Sequence, residues 1–267
     1  MFYLRYIGRL AKTIGFLLFS WQFASPKYVL KLETEYRHKF VFSLTTSPLR
    51  LSYLPYVFHS LPKNVTIVLN LPLKFKNKDS YNEDTISELS HKYANLKINR
   101  IFYDLGPQTK LLGLCYGSAE LKLFLSDKNI IVIDDDTAYP NDIVKVYDMY
   151  YSQGKPNSIY SANLVYHTLP IHQGFSSYSL SFSMLSDEVV QRCIEYSKLD
   201  GCKLHDDFSF SAAFQDFGFN IVKVAGIHRK QFLYGYDEDA LHFQEPNNIK
   251  SDICSSNIWN LRRQCAV

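Results

Sequence analysis

The strongest constraint in this chain is a set of four apolar runs spaced by stretches of helical periodicity. "KFVFSLTT" (39–46), "NVTIVLN" (64–70), "LKINRIFY" (96–103) and "NIIVID" (129–134) are short, rich in branched and aromatic side chains, and bounded by polar or turn residues. Each predicts a strand. Between them, "LRLSYLPYVFHSL" predicts a helix interrupted early by Pro55, "EDTISELSHKYA" a second helix, and "QTKLLGLCYGSAELKLFL" one long third helix. "NDIVKVYDMYYSQG" then predicts a helix capped by Asn141 and closed by Gly154. Apolar strands alternating with helices imply a parallel sheet covered on both faces.

The second half is less regular. "NSIYSAN" (157–163), "SYSLSFSML" (177–185) and "FNIVKVA" predict strands, while "DEVVQRCIEYS" and "HDDFSFSAAFQDFG" predict helices. No repeat and no Pro/Gly/Ser-rich linker divides the chain. At 267 residues it has the length for one large core. The expectation is a single α/β body over residues 33–267, mixed in its second half, preceded by an arm of residues 1–32.

Charge sets that arm apart. No acid precedes Glu33, but Arg5, Arg9, Lys12, Lys27 and Lys31 do, so 24 of the 29 basic residues remain to face all 26 acidic ones. The net charge of +3 therefore describes the arm and gives no reason to expect nucleic acid as a partner. Leu4, Ile7, Ala11, Ile14, Leu18 and Trp21 form one helical stripe, with Arg5, Arg9 and Lys12 opposite. The uncharged run Thr13–Pro26 is short of the ~20 residues that a membrane span needs. A basic amphipathic helix suits peripheral contact with an anionic bilayer through residues 1–24. A signal or anchor in residues 1–26, or a helix docked on the protein's own core, has the same pattern. Five cysteines, an odd number with no CxxC spacing, favour reduced thiols and a cytoplasmic location, with the secretory pathway as the alternative if residues 1–26 act as a signal or anchor.

The most chemically pointed stretch is "NIIVIDDDTAYP", where Asp134, Asp135 and Asp136 follow a buried strand. Ligands in open α/β sheets bind beyond the carboxyl ends of the strands. If the backbone stays extended, Asp134 and Asp136 point to one side and Asp135 to the other. Two hard oxygen ligands suit Mg²⁺ or Mn²⁺, with positions left for phosphate oxygens. After the first strand, Thr45, Thr46, Ser47 and Arg50 offer hydroxyls, backbone N–H groups and a cation to a nucleotide phosphate. In "DLGPQTK", Lys110 is either a phosphate-binding point charge or the partner of an aspartate. Asp206 and Asp207 open a helix, where the dipole favours the ionised form that a general base requires.

"VIDDDTAYP" resembles the Asp-x-Asp segment of metal-dependent nucleotide-sugar glycosyltransferases of the GT-A fold. "VFSLTTSPLRLSYLPYVFHSL" is similar to the first strand, loop and helix of such enzymes. "YDLGPQTKLLG" resembles the Gly-Pro-x-x-Lys segment of a subset, and "LHDDFSFSAAFQDFGFNIVKV" their acidic-pair helix. Together these cover roughly residues 38 to 261, with His205 standing where inverting members often carry Glu. The resemblance implies a GT-A-like domain that transfers a sugar from a nucleotide-sugar donor to a glycan or glycolipid hydroxyl, with inversion. It implies Asp134 and Asp136 as ligands of Mn²⁺ or Mg²⁺, and His242 as a third. Thr45, Thr46, Ser47, Arg50, Lys110, Asp134 and Asp135 would border the donor, and Asp206 or Asp207 would be the base. A nucleotidyltransferase, or a non-catalytic sugar- or nucleotide-binding protein of the same fold, are the alternatives.

Overall fold

In the first strand, β1 (Phe40–Thr45), successive side chains alternate between two separate cores. Phe40, Phe42 and Leu44 pack on one side and Val41 on the other, all fully buried. In β4 (Asn129–Val132) and the residue after it, Ile131 and Ile133 join the first core while Ile130 and Val132 join the second. Each such side chain taken fully out of water contributes roughly 1.5–3 kcal/mol, so these strands are fixed in the middle of the molecule. The computed structural model describes residues 38–75, 80–166, 170–172, 176–203, 205–227, 231–232 and 247–265. The arm of residues 1–32 and His242 lie outside the described residues.

The chain is an α/β protein built on a seven-stranded, mostly parallel sheet. With β2 (Thr66–Pro72), β3 (Leu96–Ile101), β6 (Ser158–Ser161), β9 (Tyr178–Ser181) and β10 (Asn220–Lys223), the strand order is β10-β6-β9-β4-β1-β2-β3. β1 pairs in parallel with both β2 and β4, β2 with β3, and β10 with β6. β9 runs antiparallel to both of its neighbours, β4 and β6, and makes the sheet mixed. Two short ladders lie outside the sheet: β5 (Thr137–Ala138) with β11 (Gln231–Phe232), and β7 (Leu164–Tyr166) with β8 (Pro170–His172).

Helices cover both faces. α1 (Leu54–Ser60), α2 (Glu83–Lys92) and α5 (Ile143–Tyr151) bury Val57, Ile86 and Tyr147 in the first core. α3 (Thr109–Leu112), α4 (Ala119–Leu125), α6 (Asp187–Ser197), α7 (Asp206–Asp216) and α8 (Asn247–Cys265) bury Leu111, Leu125, Cys193, Phe210 and Ile258 in the second. Pro55 falls in the first turn of α1, after a 3-10 segment over Pro48–Tyr53, which accounts for the early interruption in the sequence pattern. α5 begins after Asp142 rather than Asn141, and Asp142 makes no side-chain cap bond. Among the described residues no helix is long and apolar enough to cross a membrane.

Two expectations are corrected. The long helix over 108–125 is broken into a 3-10 turn, α3, a second 3-10 turn over Gly113–Tyr116, and α4. Gly113 sits so close to Asn70 that an added Cβ would lie 2.8 Å from its side chain. The chain then leaves helical geometry at Gly117, and Ser118 caps α4 through the Leu121 amide. The cysteines are also not all reduced: Cys202, before α7, is joined to Cys254 of α8 in a disulfide, while Cys115 and Cys193 are free thiols. An odd total leaves room for a pair, and only the docking of α8 brings this one together.

Candidate functional site

The site is assembled at the carboxyl edge of β1, β2 and β4, on top of a buried polar ladder. Asn70 of β2 and Asn99 of β3 are register partners, and Asn99 Nδ2 donates to Asn70 Oδ1 at 2.8 Å. Asn70 Nδ2 donates to Ser43 Oγ at 2.9 Å, and the Ser43 hydroxyl donates to the Lys110 carbonyl. Asn99 Nδ2 also reaches the Gly113 carbonyl at 2.8 Å. Buried polar groups must be paired, and here two pairings link the strands to one another and two tie them to α3 and the turn after it. Ser43, Asn70 and Asn99 are absent from the sequence-based site. Their signal is an uncharged polar residue set among the apolar ones of each run, Ser43 in "FVFSL", Asn70 in "TIVLNL" and Asn99 in "LKINRI".

That ladder presents Lys110 inward. The turn before it needs glycine, because Gly106 has φ +63°, and its amide is held by Asp104 Oδ1 at 2.8 Å. Lys110 is only 5% exposed, and its ammonium lies 2.9 Å from Asp134 Oδ1 and 2.8 Å from Asp206 Oδ2. The Asp134 contact is a hydrogen bond; the Asp206 contact is an ion pair without hydrogen-bond geometry. Burial lowers the Lys110 ammonium's affinity for its proton, but Asp134, Asp206 and Asp207 outweigh it and hold the group well above its ordinary value. Of the two sequence expectations for Lys110, the structure takes the pairing with aspartate, and twice over.

Arg50 does the corresponding work on the other side. Its Nη2 lies 2.6 Å from Asp136 Oδ2 and 3.1 Å from Asp135 Oδ1. Burial opposes its charge, but Asp135, Asp136 and Asp134 more than compensate and raise it. Asp135 is buried, accepts a 2.6 Å bond from the Thr46 hydroxyl, and is pushed up to about 6 by burial. Asp136 is raised too, again chiefly by burial, although Arg50 pulls the other way.

The expectation that Asp134 and Asp136 share one side while Asp135 points away is not what the backbone does. β4 ends at Val132, and Asp135 and Asp136 form a turn before β5. The alternation rule of extended chain therefore stops short of them. Asp135 and Asp136 meet on Arg50, while Asp134 goes to Lys110. Tyr139, fully buried, fixes the turn by accepting the Asp134 amide proton on its hydroxyl at 2.8 Å.

The remaining sequence candidates separate. The Thr45 hydroxyl is spent on the Asn70 carbonyl at 2.8 Å, inside the sheet edge. Thr46 serves Asp135, and its carbonyl accepts from Tyr81 at 2.8 Å. Ser47 precedes the 3-10 segment without a side-chain cap bond, and its carbonyl takes the Arg50 amide at 3.0 Å. Asp206 and Asp207 are the first two residues of α7, and neither is its cap residue, which is His205. Asp206 is 6% exposed, whereas Asp207 is half-buried.

Five carboxylates thus converge on two cations. The hard oxygen donors and the anionic surplus fit a small divalent cation. Among the described residues no three His, Cys, Asp or Glu side chains form a ready metal cage. The sequence matches no protein-family model and no curated protein.

Proposed function

We propose that this protein is a divalent-metal-dependent glycosyltransferase of GT-A type, moving a sugar from a nucleotide-sugar donor to a hydroxyl acceptor. The observation that carries the reading is Lys110. It joins the carboxylate turn after β4 to the acidic start of α7, so the two acidic segments form one site. Once turned from Lys110 and Arg50, Asp134 and Asp136 would hold Mn²⁺ or Mg²⁺, which would supply charge neutralisation for a departing nucleotide diphosphate. Arg50, on the rim of that turn, is within the same cluster and offers a guanidinium for phosphate oxygens.

The two aspartates of α7 differ in what they can do. A base has to reach the acceptor hydroxyl, and Asp206 is turned inward onto Lys110. Asp207 is the more accessible of the two and lies at the positive end of α7. We assign it the proton-accepting role and give Asp206 the role of orienting the helix start. The disulfide favours an oxidising compartment, the alternative location for a protein whose first 26 residues act as a signal or anchor. Thiol alkylation of protein taken directly from cells tests that placement: a freely alkylated Cys202–Cys254 pair would return it to the cytosol.

The activity test is hydrolysis and transfer from a panel of nucleotide sugars with Mn²⁺. Turnover should vanish in Asp136→Asn, and transfer should fall by about 10²–10⁴-fold in Asp207→Asn with nucleotide affinity kept. Transfer lost only in Asp206→Asn would reverse the two roles. Release of pyrophosphate from a nucleoside triphosphate, with no sugar transferred, would replace the reading with a nucleotidyltransferase.

A further inference from the structure

The C-terminal helix α8 is fastened along α7 at both ends, and the two fastenings differ in kind. At the far end Arg262 Nε donates to Asp216 Oδ1 at 2.6 Å, and its Nη2 donates to the Ala212 carbonyl at 2.8 Å. At the near end the tie is covalent, Cys202 to Cys254, 52 residues apart in sequence. Asn257 Nδ2 adds a 3.2 Å bond to the Asp200 carbonyl beside it.

Cys202 is mechanically close to the site. Its carbonyl accepts the His205 amide at 3.0 Å, and the His205 carbonyl in turn accepts the Phe208 amide at 3.2 Å. Asp206 and Asp207 sit between those two bonds, at the start of α7. The Lys203 carbonyl lies 3.9 Å from where a Cβ on Gly106 would be, so this connection also rests on the turn that presents Lys110. His205, the N-cap residue of α7, makes no side-chain cap bond of its own. Helix starts without a cap fray readily.

We infer that the Cys202–Cys254 disulfide is a positioning tie for the acidic start of α7. It holds Asp206 on Lys110 and Asp207 beside it. The inference rests on the glycosyltransferase reading only for what Asp206 and Asp207 do, not for how they are held. Reduction would break the S–S bond, with a dithiol giving up two electrons and two protons to form two cysteine thiols and its own cyclic disulfide. Both sulfurs are fully buried, so that reaction passes through a local opening of α8.

The test compares amide hydrogen exchange in the oxidised full chain, the same chain reduced with dithiothreitol, and Cys202→Ala/Cys254→Val, which keeps apolar volume but has no bond. Exchange over residues 205–210 and 109–112 should quicken on the order of 10²-fold in both unbonded forms, with β1 and β2 unchanged. Reoxidation with glutathione disulfide should restore protection to the reduced chain. Faster exchange confined to α8, or unbonded forms that match the oxidised one, would overturn the inference. General unfolding would do so as well, because it would make the bond a support of the whole fold. With a donor found in the Mn²⁺ screen, kcat for transfer should fall on the order of 10²-fold at unchanged nucleoside diphosphate affinity. Loss of that affinity in parallel would count against a local tie. If no nucleotide sugar is turned over, the functional reading falls, while the exchange data still decide whether the tie exists.

Discussion

Replacing Lys110 by Met removes one charge and keeps most of the side chain's length, so it isolates what the ammonium does. In the folded chain Lys110 is 5% exposed, and its ammonium lies within 3 Å of both Asp134 and Asp206. Taking away one partner of a buried ion pair leaves the other desolvated and uncompensated, at a cost of about 3–5 kcal/mol. Two effects pull toward the lower figure. The Asp134 side chain is 25% exposed and can recover some hydration, and the methionine retains the apolar contacts of the stem. We expect about 3 kcal/mol at pH 8, read from the midpoint of urea unfolding at constant slope. Adding Asp206→Asn to Lys110→Met should recover part of that loss, since one of the two stranded charges is then gone. A Lys110→Met protein within 1 kcal/mol of the parent at pH 8 would refute the view that Lys110 neutralises the junction between the two acidic segments.

Asp135 gives a pH signature of its own. Its carboxyl rises from 3.8 to about 6 on folding, so its contribution is full below about pH 4 and is lost as pH climbs through 6. Asp135→Asn should flatten that slope and offset up to roughly 3 kcal/mol near neutrality. An unchanged slope in chemical denaturation between pH 4 and 7 would assign it to other groups. Gly113→Ala should cost about 1–3 kcal/mol, because the new methyl would sit 2.8 Å from the Asn70 side chain and must displace the buried ladder. Thermal unfolding with no loss in that variant would mean the α3 turn has room to move.

The layered half of the fold is legible because burial on two faces leaves a mark in every strand. "FVFSL" and "NIIVI" have no polar face to offer, and that alone demands helices on both sides. What escaped the sequence was set by contacts between distant residues. Helical periodicity runs unbroken through "QTKLLGLCYGSAELKLFL", and nothing local says that Asn70 will press on Gly113. The acidic turn was recognisable as a site, but its internal geometry depended on where β4 stops. Beyond Ile133, the alternation that would send Asp134 and Asp136 together no longer holds. Cysteine parity could not reveal Cys202–Cys254, since the pair forms only when α8, with few and scattered apolar positions, docks on α7. β5, with two residues, and β7, with three, are too short to leave a periodic signal.

The antiparallel strand β9 has a consequence for how the molecule assembles. β1 to β4 come from one continuous stretch, residues 40 to 132, and pair only with one another until β9 arrives. β6 and β10, in contrast, reach the sheet only through β9, which has to lodge between β4 and β6 before either can be counted part of it. During synthesis the first four strands emerge together and can close their own ladders early. The later strands wait for a contact that spans nearly fifty residues, from β4 to β9. Loop closure of that length precedes any gain from the pairing it permits. Until then the outer edge of β4 is an open template, the place where two nascent chains would meet, and β9 is the strand that shuts it.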